Sequence, residues 1–578
     1  MLHKAIGFGG FRGVTDHSVS VIRGLFMNLK QTASKLAKGD VKGVIEDVAD
    51  KLERSVGLGG VVVISLASMV GSGLFVMPSF AADIMGPGIW MAFLLAALVV
   101  LPGAISKSEL ASAMPSSGGS YVFLERTYGP LFGTVSGLGL WASFLLKAAF
   151  ALIGFSAYMY ALTEYFDVDL NMQIVSIGTL VLITFLNILG VKKIKAVQTP
   201  ILALTMIVLL LVCLMALFAG DTDFARPLEP KAGGSFGEHS LKIAEAAAFV
   251  FVAYAGVIKV AAIGGEIKNP GRNLPLGILI SLGLVTLLYC AVTYIMFAAV
   301  PAESYMMDGK PVENPVWVFV DYVAGTRIGL IAAFLAVLTM ASGALSGVLA
   351  ASRFVFAMAR DNLLPQALET VNAKYETPHW PILLTGFAML LAILYLPVKD
   401  VAKLASGFQI MVFVAVNSSV IVLRRSPQAQ EWYKPHYFSP LYPYVQIFGI
   451  LSGMALIYLM GDKALIGALG AGALGVVTYM GYGRKHNKVV TTPFKNLRDQ
   501  FSKPTSEERN VRLAAFKAAD LGQKNHLTLP EFINALKALG VTYTNDEYRA
   551  IFHKADSDEN GVIDIDEFLS LCHEDIAE

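Results

Sequence analysis

The chain has 578 residues, of which 55% are hydrophobic and only 15% charged, with a mean hydropathy of +0.60. Soluble domains carry about 25% charged residues, so this composition excludes an ordinary soluble fold and predicts a polytopic membrane protein. The net charge of +1 gives no electrostatic reason to expect nucleic acid, and three scattered cysteines supply neither a disulfide framework nor a metal spacing.

Residues 1–58 are predicted to stay outside the membrane, as a cytoplasmic amphipathic segment with no secretory leader. Ile22, Phe26, Leu29, Ala33 and Leu36 share one helical face among Arg23, Lys30 and Lys35, the pattern of a basic amphipathic helix over 19–37. From residue 59 the chain offers twelve apolar segments of near-bilayer length: 60–83, 88–112, 134–160, 173–190, 199–219, 241–264, 275–300, 327–358, 382–397, 401–423, 444–460 and 464–482. With the N-terminus inside, thirteen Lys and Arg residues fall in inside loops, beginning with Lys107 and Arg126, against six outside. Both termini are therefore expected in the cytoplasm, the membrane being a plasma or bacterial inner membrane.

Two of these segments carry a break. The first, VVVISLASMVGSGLFVMPSF, places Gly71-Ser72-Gly73 at mid-depth and Pro78 soon after. Glycine and proline cost roughly 1 and 3 kcal/mol in a helix interior, and lipid tolerates broken backbone only where it is buried or lines a cavity. The freed N–H groups suit an anion and the freed carbonyls a cation. The sixth segment repeats the device at Ala253-Tyr254-Ala255-Gly256, five segments later and opposite in direction. Paired interruptions of this kind point to a transport site at the midplane; close helix packing through small residues is the other reading.

An ordered series of short motifs follows the same stretch. Gly71-Ser72-Gly73-Leu74-Phe75 is followed by Glu109-Leu110-Ala111, Gly118-Gly119-Ser120-Tyr121 and Tyr128-Gly129-Pro130. Ala253–Gly256, Lys268-Asn269-Pro270, Ser352-Arg353 and Ala359-Arg360-Asp361 come next, and Tyr375–Pro378 ends the set. In this series the chain over about 58–485 resembles the amino acid–polyamine–organocation permeases. The resemblance implies an all-α membrane fold of about twelve helices: a five-plus-five inverted repeat with helices one and six broken, plus two further helices. It also implies secondary active transport of amino acids or related amines.

Carried over by position, the resemblance puts a substrate carboxylate at the N–H groups of Ser72 and Gly73, with Gly71 beside them in the substrate site. The ammonium falls at carbonyls near Met69, Val252 and Ala255, and side-chain selection at Val252, Ala253, Tyr254 and Ile258. None of these is acidic, so a neutral, mainly apolar amino acid is expected. Some permeases of this kind carry a lysine on the fifth span in place of sodium; here Thr205 holds that position. Lys147 instead sits near the middle of the third segment, where a charge marks function by default; a structural lysine bonded to the broken-helix carbonyls is the other reading. Proton coupling through Lys147, a sodium site from the Ala67 and Val70 carbonyls with Ser342 or Ser346, and amino acid exchange needing neither all stay open. A polyamine carrier and a non-transporting receptor on the same fold are the alternatives. No nucleophile–base pair or phosphate loop is present, so an enzyme is not expected.

Beyond a polar linker over 487–505, residues 506–578 read as an EF-hand pair. The twelve-residue loop from Asp556 to Glu567 places Asp556, Asp558, Asn560, the Val562 carbonyl, Asp564 and Glu567 at the calcium-ligating positions, with Gly561 at the turn. The earlier loop, Asp520 to Glu531, has Lys524 where an oxygen belongs and is expected not to bind. Leu527 and Ile563, both at position eight, are expected to pair as a short β-bridge. Calcium on the second loop is expected to make the tail a partner for the basic helix over 19–37, biasing transport.

Overall fold

The computed structural model describes residues 56–570 except 116–118, 191–193, 230–235, 262–263, 265–266, 373–374, 376, 431, 487–491, 496–505, 521–523, 540–544 and 557–559. The amphipathic helix expected over 19–37, Gly118 of the motif series and Asp558 of the calcium loop lie outside these residues. So does the side chain of Ile258. By chain contacts, residues 1–421 with 433–488 form one compact unit, and 422–432 with 489–578 another.

Each predicted apolar segment of the first unit is helical. The first is three pieces, α1 (Leu58–Met69), α2 (Ser72–Phe75) and α3 (Met77–Met85). The second is α4 (Trp90–Ala113), followed by the short α5 (Ser120–Tyr128) and then the third, α6 (Pro130–Tyr165). The fourth and fifth are α7 (Met172–Ile188) and α8 (Ile194–Phe218), and the sixth is split into α9 (Phe236–Val250) and α10 (Gly256–Ala261). The seventh is α11 (Pro270–Ala299); a small hairpin, β1 (Met306–Met307) with β2 (Lys310–Pro311), and α12 (Pro315–Ala324) lead to the eighth, α13 (Thr326–Arg360). Then come α14 (His379–Tyr395), α15 (Val398–Arg425), α16 (Tyr444–Leu459) and α17 (Asp462–Thr478). Among the described residues, eight helical stretches are long and apolar enough to cross a membrane, one of them running through the sixth segment over Phe236–Ala261; α1, α7, α12, α14 and α16 are apolar but shorter.

Packing follows from which faces are apolar all round. Helix α6 is 36 residues long and mostly buried. At 1.5 Å per residue it runs about 54 Å, well beyond a hydrocarbon core of roughly 30 Å. It lies along α13, while α4 lies along α11, and α1 meets α10. By segment number these pairs are three with eight, two with seven, and one with six; four also meets nine. The cross pairs match too: one touches seven as six touches two, and three touches nine as eight touches four. Leu204, Ile207, Leu210 and Leu211 on α8 remain exposed, as a lipid-facing surface requires.

One sequence assignment is corrected here. Lys107, counted above as a loop residue, lies inside α4 with no exposed surface, its Nζ 4.6 Å from the centre of the Phe413 ring. A long apolar stem and a ring face that attracts cations accommodate it. Without it the inside loops still hold twice as many basic residues as the outside ones.

The second unit contains α18 (Ser506–Ala519), β3 (His526–Leu527), α19 (Leu529–Ala538), α20 (Asn545–Ala555), β4 (Ile563–Asp564) and α21 (Ile565–Ser570). Leu527 pairs with Ile563 across β3 and β4, as their shared position in the two loops predicts. Phe532 packs edge-on against both Phe552 and Phe568, and Phe516 meets Phe568, so the four helices share one aromatic core.

Candidate functional site

The first segment is interrupted where its glycines fall. Helix α1 stops at Met69, Val70 and Gly71 are extended, and α2 starts at Ser72, which is buried. Among the described residues, the N–H groups of Gly71, Ser72 and Gly73 have no backbone acceptor, whereas those of Leu74 and Phe75 return to the Gly71 carbonyl. Three donors without a backbone acceptor thus stand side by side at the start of α2, the kind of group that suits a carboxylate. The carbonyls freed at the end of α1 are in use: Ser68 O accepts from Lys147 Nζ at 3.1 Å and Met69 O from the Tyr289 hydroxyl at 2.7 Å. Phe75 O accepts from the Tyr158 hydroxyl at 2.7 Å.

The second break differs from the expectation of freed backbone. Between α9 and α10 the chain tightens into a 3-10 turn over Phe251–Ala255 instead of opening. Its first glycine comes only at Gly256, and the Val252 N–H is held by Ser406 Oγ at 3.1 Å. Gly256 lets α10 touch α1: a Cβ there would lie 2.8 Å from the Ser65 carbonyl. Gly73 likewise faces Ala253, whose Cβ a methyl at 73 would meet at 2.7 Å.

A cavity of about 40 Å³ abuts the first break. Met69, Val70, Gly71 and Ser72 line one wall, Phe144, Lys147, Ala148 and Ala151 of α6 a second, and Met340, Gly343, Ser346 and Gly347 of α13 a third. Lys259 of α10 also reaches it. Val252, Ala253, Tyr254 and Ala255, expected to shape the pocket, do not line it; the Tyr254 hydroxyl is turned to the Phe93 carbonyl at 2.9 Å. A volume far below the roughly 300 Å³ of common ligand pockets describes a closed arrangement. Of the ion-coupling candidates, Lys147 and Ser346 meet at this cavity. Ser342 lines a neighbouring void of about 10 Å³ with Ala67 and Gln198, whose amide donates to Ser342 O at 2.9 Å. Thr205 stands apart, bonded to Thr339 Oγ1 at 3.2 Å.

In the tail, the two loops close by different means. In the second, the Asp556 carboxylate accepts the N–H groups of Asn560 and Gly561 at 3.0 and 2.8 Å, and Gly561 takes φ +80°. Glu567 Oε2 accepts the Asp564 N–H at 3.0 Å, and Asp564 Oδ1 accepts the Glu567 N–H at 2.8 Å. Among the described residues, which leave out Asp558, no group of three such side chains is placed to hold a metal. In the first loop the Lys524 ammonium lies 3.3 Å from Glu531 Oε1, so a fixed cation stands where a metal would. Hydrogen bonds from the Thr528 hydroxyl and N–H, with Lys524, hold the Glu531 carboxyl down at about 2. The unfolded chain binds that proton more readily, so the stabilisation from Glu531 is complete above about pH 4.5 and disappears as pH falls towards about 2. Acid unfolding of the tail, followed by amide exchange at β3, is expected to move to higher pH in Glu531→Gln.

Residues 57–468 match the family described as amino acid permease, and residues 510–572 match the EF-hand domain pair. The branched-chain amino acid permease BcaP of Bacillus subtilis is 30% identical over 456 residues, covering 76% of this chain and 95% of that protein. The serine/threonine exchanger SteT of the same organism is 26% identical over 76% of this chain and 98% of its own length. The methylthioribose transporter of B. subtilis is 25% identical over 75% of this chain and 95% of its own. The chain belongs to the amino acid permease family.

Several motif residues of this permease prove to be fasteners. Glu109, buried in α4, accepts the Tyr433 hydroxyl at 2.9 Å and the Ser439 N–H at 2.8 Å, and so pins the stretch before α16. Tyr121 on α5 donates to Asp361, after α13, at 2.9 Å. Burial, then the Asp361 charge, push the Glu125 carboxyl on α5 above the usual carboxylate range. Sequence reasoning missed the site residues Tyr289, Tyr158 and Lys259. A lone tyrosine in an apolar segment carries no spacing signal, and Lys259 lies inside the sixth segment next to a run of small residues with nothing in its spacing to tie it to the first break.

Proposed function

We propose that this permease is a secondary transporter of neutral, mainly apolar amino acids, driven by a proton or by exchange. The observation that carries the reading is the trio of unmatched N–H groups at Gly71, Ser72 and Gly73 beside a cavity whose described lining holds no carboxylate. The α-carboxylate binds that trio. The ammonium takes the remaining lone pairs of the Ser68, Met69 and Val70 carbonyls, and Phe144, Ala148, Ala151 and Met340 receive the side chain once the site opens. A polyamine would find two lysines and, among the described lining residues, no acid. The pairing of segments one to four with six to nine supports the five-plus-five inverted repeat within a twelve-helix fold, and the Lys and Arg distribution in the loops supports both termini being cytoplasmic.

Lys147 and Lys259 bring positive charge to the place a sodium ion would need, next to Ala67, Val70 and Ser346. This favours proton coupling or exchange over sodium. The reading is tested in proteoliposomes with imposed pH and sodium gradients: leucine accumulates under the pH gradient or against internal amino acid, with no gain from sodium. Accumulation that follows sodium alone contradicts it.

We further propose that Ca²⁺ binds the second tail loop through Asp556, Asp558, Asn560, Val562 O, Asp564 and Glu567, and that it modulates uptake. The hard-oxygen donor set and the glycine turn fit that ion. On the same reading the basic helix over 19–37 is what the calcium-loaded tail takes up. Glu567→Gln is expected to move the dissociation constant from about 10⁻⁷–10⁻⁵ M to about 10⁻⁴ M or weaker by calorimetry. Calcium-dependent uptake is expected to be lost with it.

A further inference from the structure

A second, larger cleft takes no part in the site above. It encloses about 830 Å³ where α4 ends at Ser112, Ala113 and Pro115, α11 begins at Asn269–Arg272, and Lys434–Tyr437 approach α16. Its charged wall is basic, with Arg272, Lys434 and His436 all exposed and no carboxylate among the described lining residues. Glu109 lies behind it with both oxygens already accepting, from Tyr433 and Ser439. His436 is packed on Gly271, where a Cβ would lie 2.8 Å from the imidazole Cγ. The cleft also receives the positive end of the 30-residue α11.

The floor is apolar: Pro115, Pro275, Leu276 and Leu279. From Leu276 an exposed stripe continues along α11 through Ile280, Leu284 and Leu287, spaced to fall on one helical face. A soluble anion has no use for such a stripe. A lipid uses both parts, its phosphate on the basic wall and its acyl chain along the helix. Arg272 supplies the planar fork that matches phosphate oxygens, and the site falls on the side to which the Lys and Arg distribution assigns the cytoplasm.

We propose that this cleft binds the headgroup of an anionic phospholipid, with an acyl chain along Leu276, Ile280, Leu284 and Leu287. Its occupant holds the start of α11, the helix that packs against both α1 and α10.

The test is native mass spectrometry of delipidated full-length protein in detergent, titrated with phosphatidylglycerol, phosphatidylcholine of the same chains, and inorganic phosphate. Each basic side chain near an anionic headgroup is worth roughly fivefold in affinity. Arg272→Gln with Lys434→Gln should therefore weaken phosphatidylglycerol binding by about twenty-five-fold. Lys434→Gln alone, at an exposed position that folding does not need, should weaken it about fivefold. Lys310→Gln, on the β1–β2 hairpin, should leave it unchanged. Equal retention of phosphatidylcholine, retention surviving the double variant, or displacement of the lipid by an equal concentration of inorganic phosphate would each overturn the proposal.

Discussion

Replacing Lys147 by methionine is expected to lower leucine uptake driven by an inward pH gradient by about tenfold or more. The ammonium makes a charge-assisted bond to the Ser68 carbonyl at the end of α1. Such bonds contribute about 1.5–3 kcal/mol, or roughly 10- to 150-fold. Methionine keeps the stem's volume and removes the charge, so the loss is not one of packing. If the proton rides on Lys147, the pH dependence of uptake flattens in the variant while exchange against internal amino acid persists. Undiminished uptake with an unchanged pH profile would exclude Lys147 from coupling. Lys259→Met, which leaves the Ser68 bond intact, is the companion variant; its effect is expected to be smaller.

Adding one methyl group at residue 73 is expected to be nearly as damaging. A Cβ there would lie 2.7 Å from the Ala253 Cβ and 3.2 Å from the Tyr289 hydroxyl, which itself caps the Met69 carbonyl. Neither neighbour can retreat without separating the two breaks. Overpacking of this kind costs about 1–3 kcal/mol, so Gly73→Ala should reduce uptake by roughly 5- to 150-fold. Gly283→Ala, where a Cβ meets nothing within 4 Å, should transport as the parent does. A Gly73→Ala protein with full uptake would show that the first and sixth segments do not need to approach there.

Much of the fold can be read from composition because lipid makes a harsh demand. Each apolar run must close its own backbone bonds, and all twelve runs form helices, the first interrupted at Val70-Gly71 and the sixth tightened into a 3-10 turn over Phe251–Ala255. The tail was equally legible, since a calcium loop fixes residue types at set spacings and Leu527 pairs with Ile563 as those spacings demand. The site was legible only in part. Gly71-Ser72-Gly73 announces unmatched donors, and Lys147 could be read as a lysine bonded to the freed carbonyls, but the sequence does not tell which of them are capped. Tyr289 and Lys147 reach Met69 and Ser68 from other helices. The second break misled because Val252-Ala253-Tyr254-Ala255 looks like loosened backbone, whereas a distant Ser406 holds it in a tight turn and Tyr254 points to α4. Lys107 misled in the opposite sense: a lysine near the end of an apolar run was assigned to a loop, and Phe413, far along the chain, keeps it inside.

The central claim is that bare peptide N–H groups at Gly71, Ser72 and Gly73 recognise the substrate's α-carboxylate. Competition for labelled leucine uptake in proteoliposomes tests it most directly, using unlabelled leucine, isoamylamine, which lacks the carboxylate, and isocaproate, which lacks the ammonium. The account predicts that leucine alone competes, with both truncated analogues weaker by about a hundredfold, as the loss of a charged hydrogen-bonding partner in a buried site implies. Isoamylamine competing as well as leucine would contradict it.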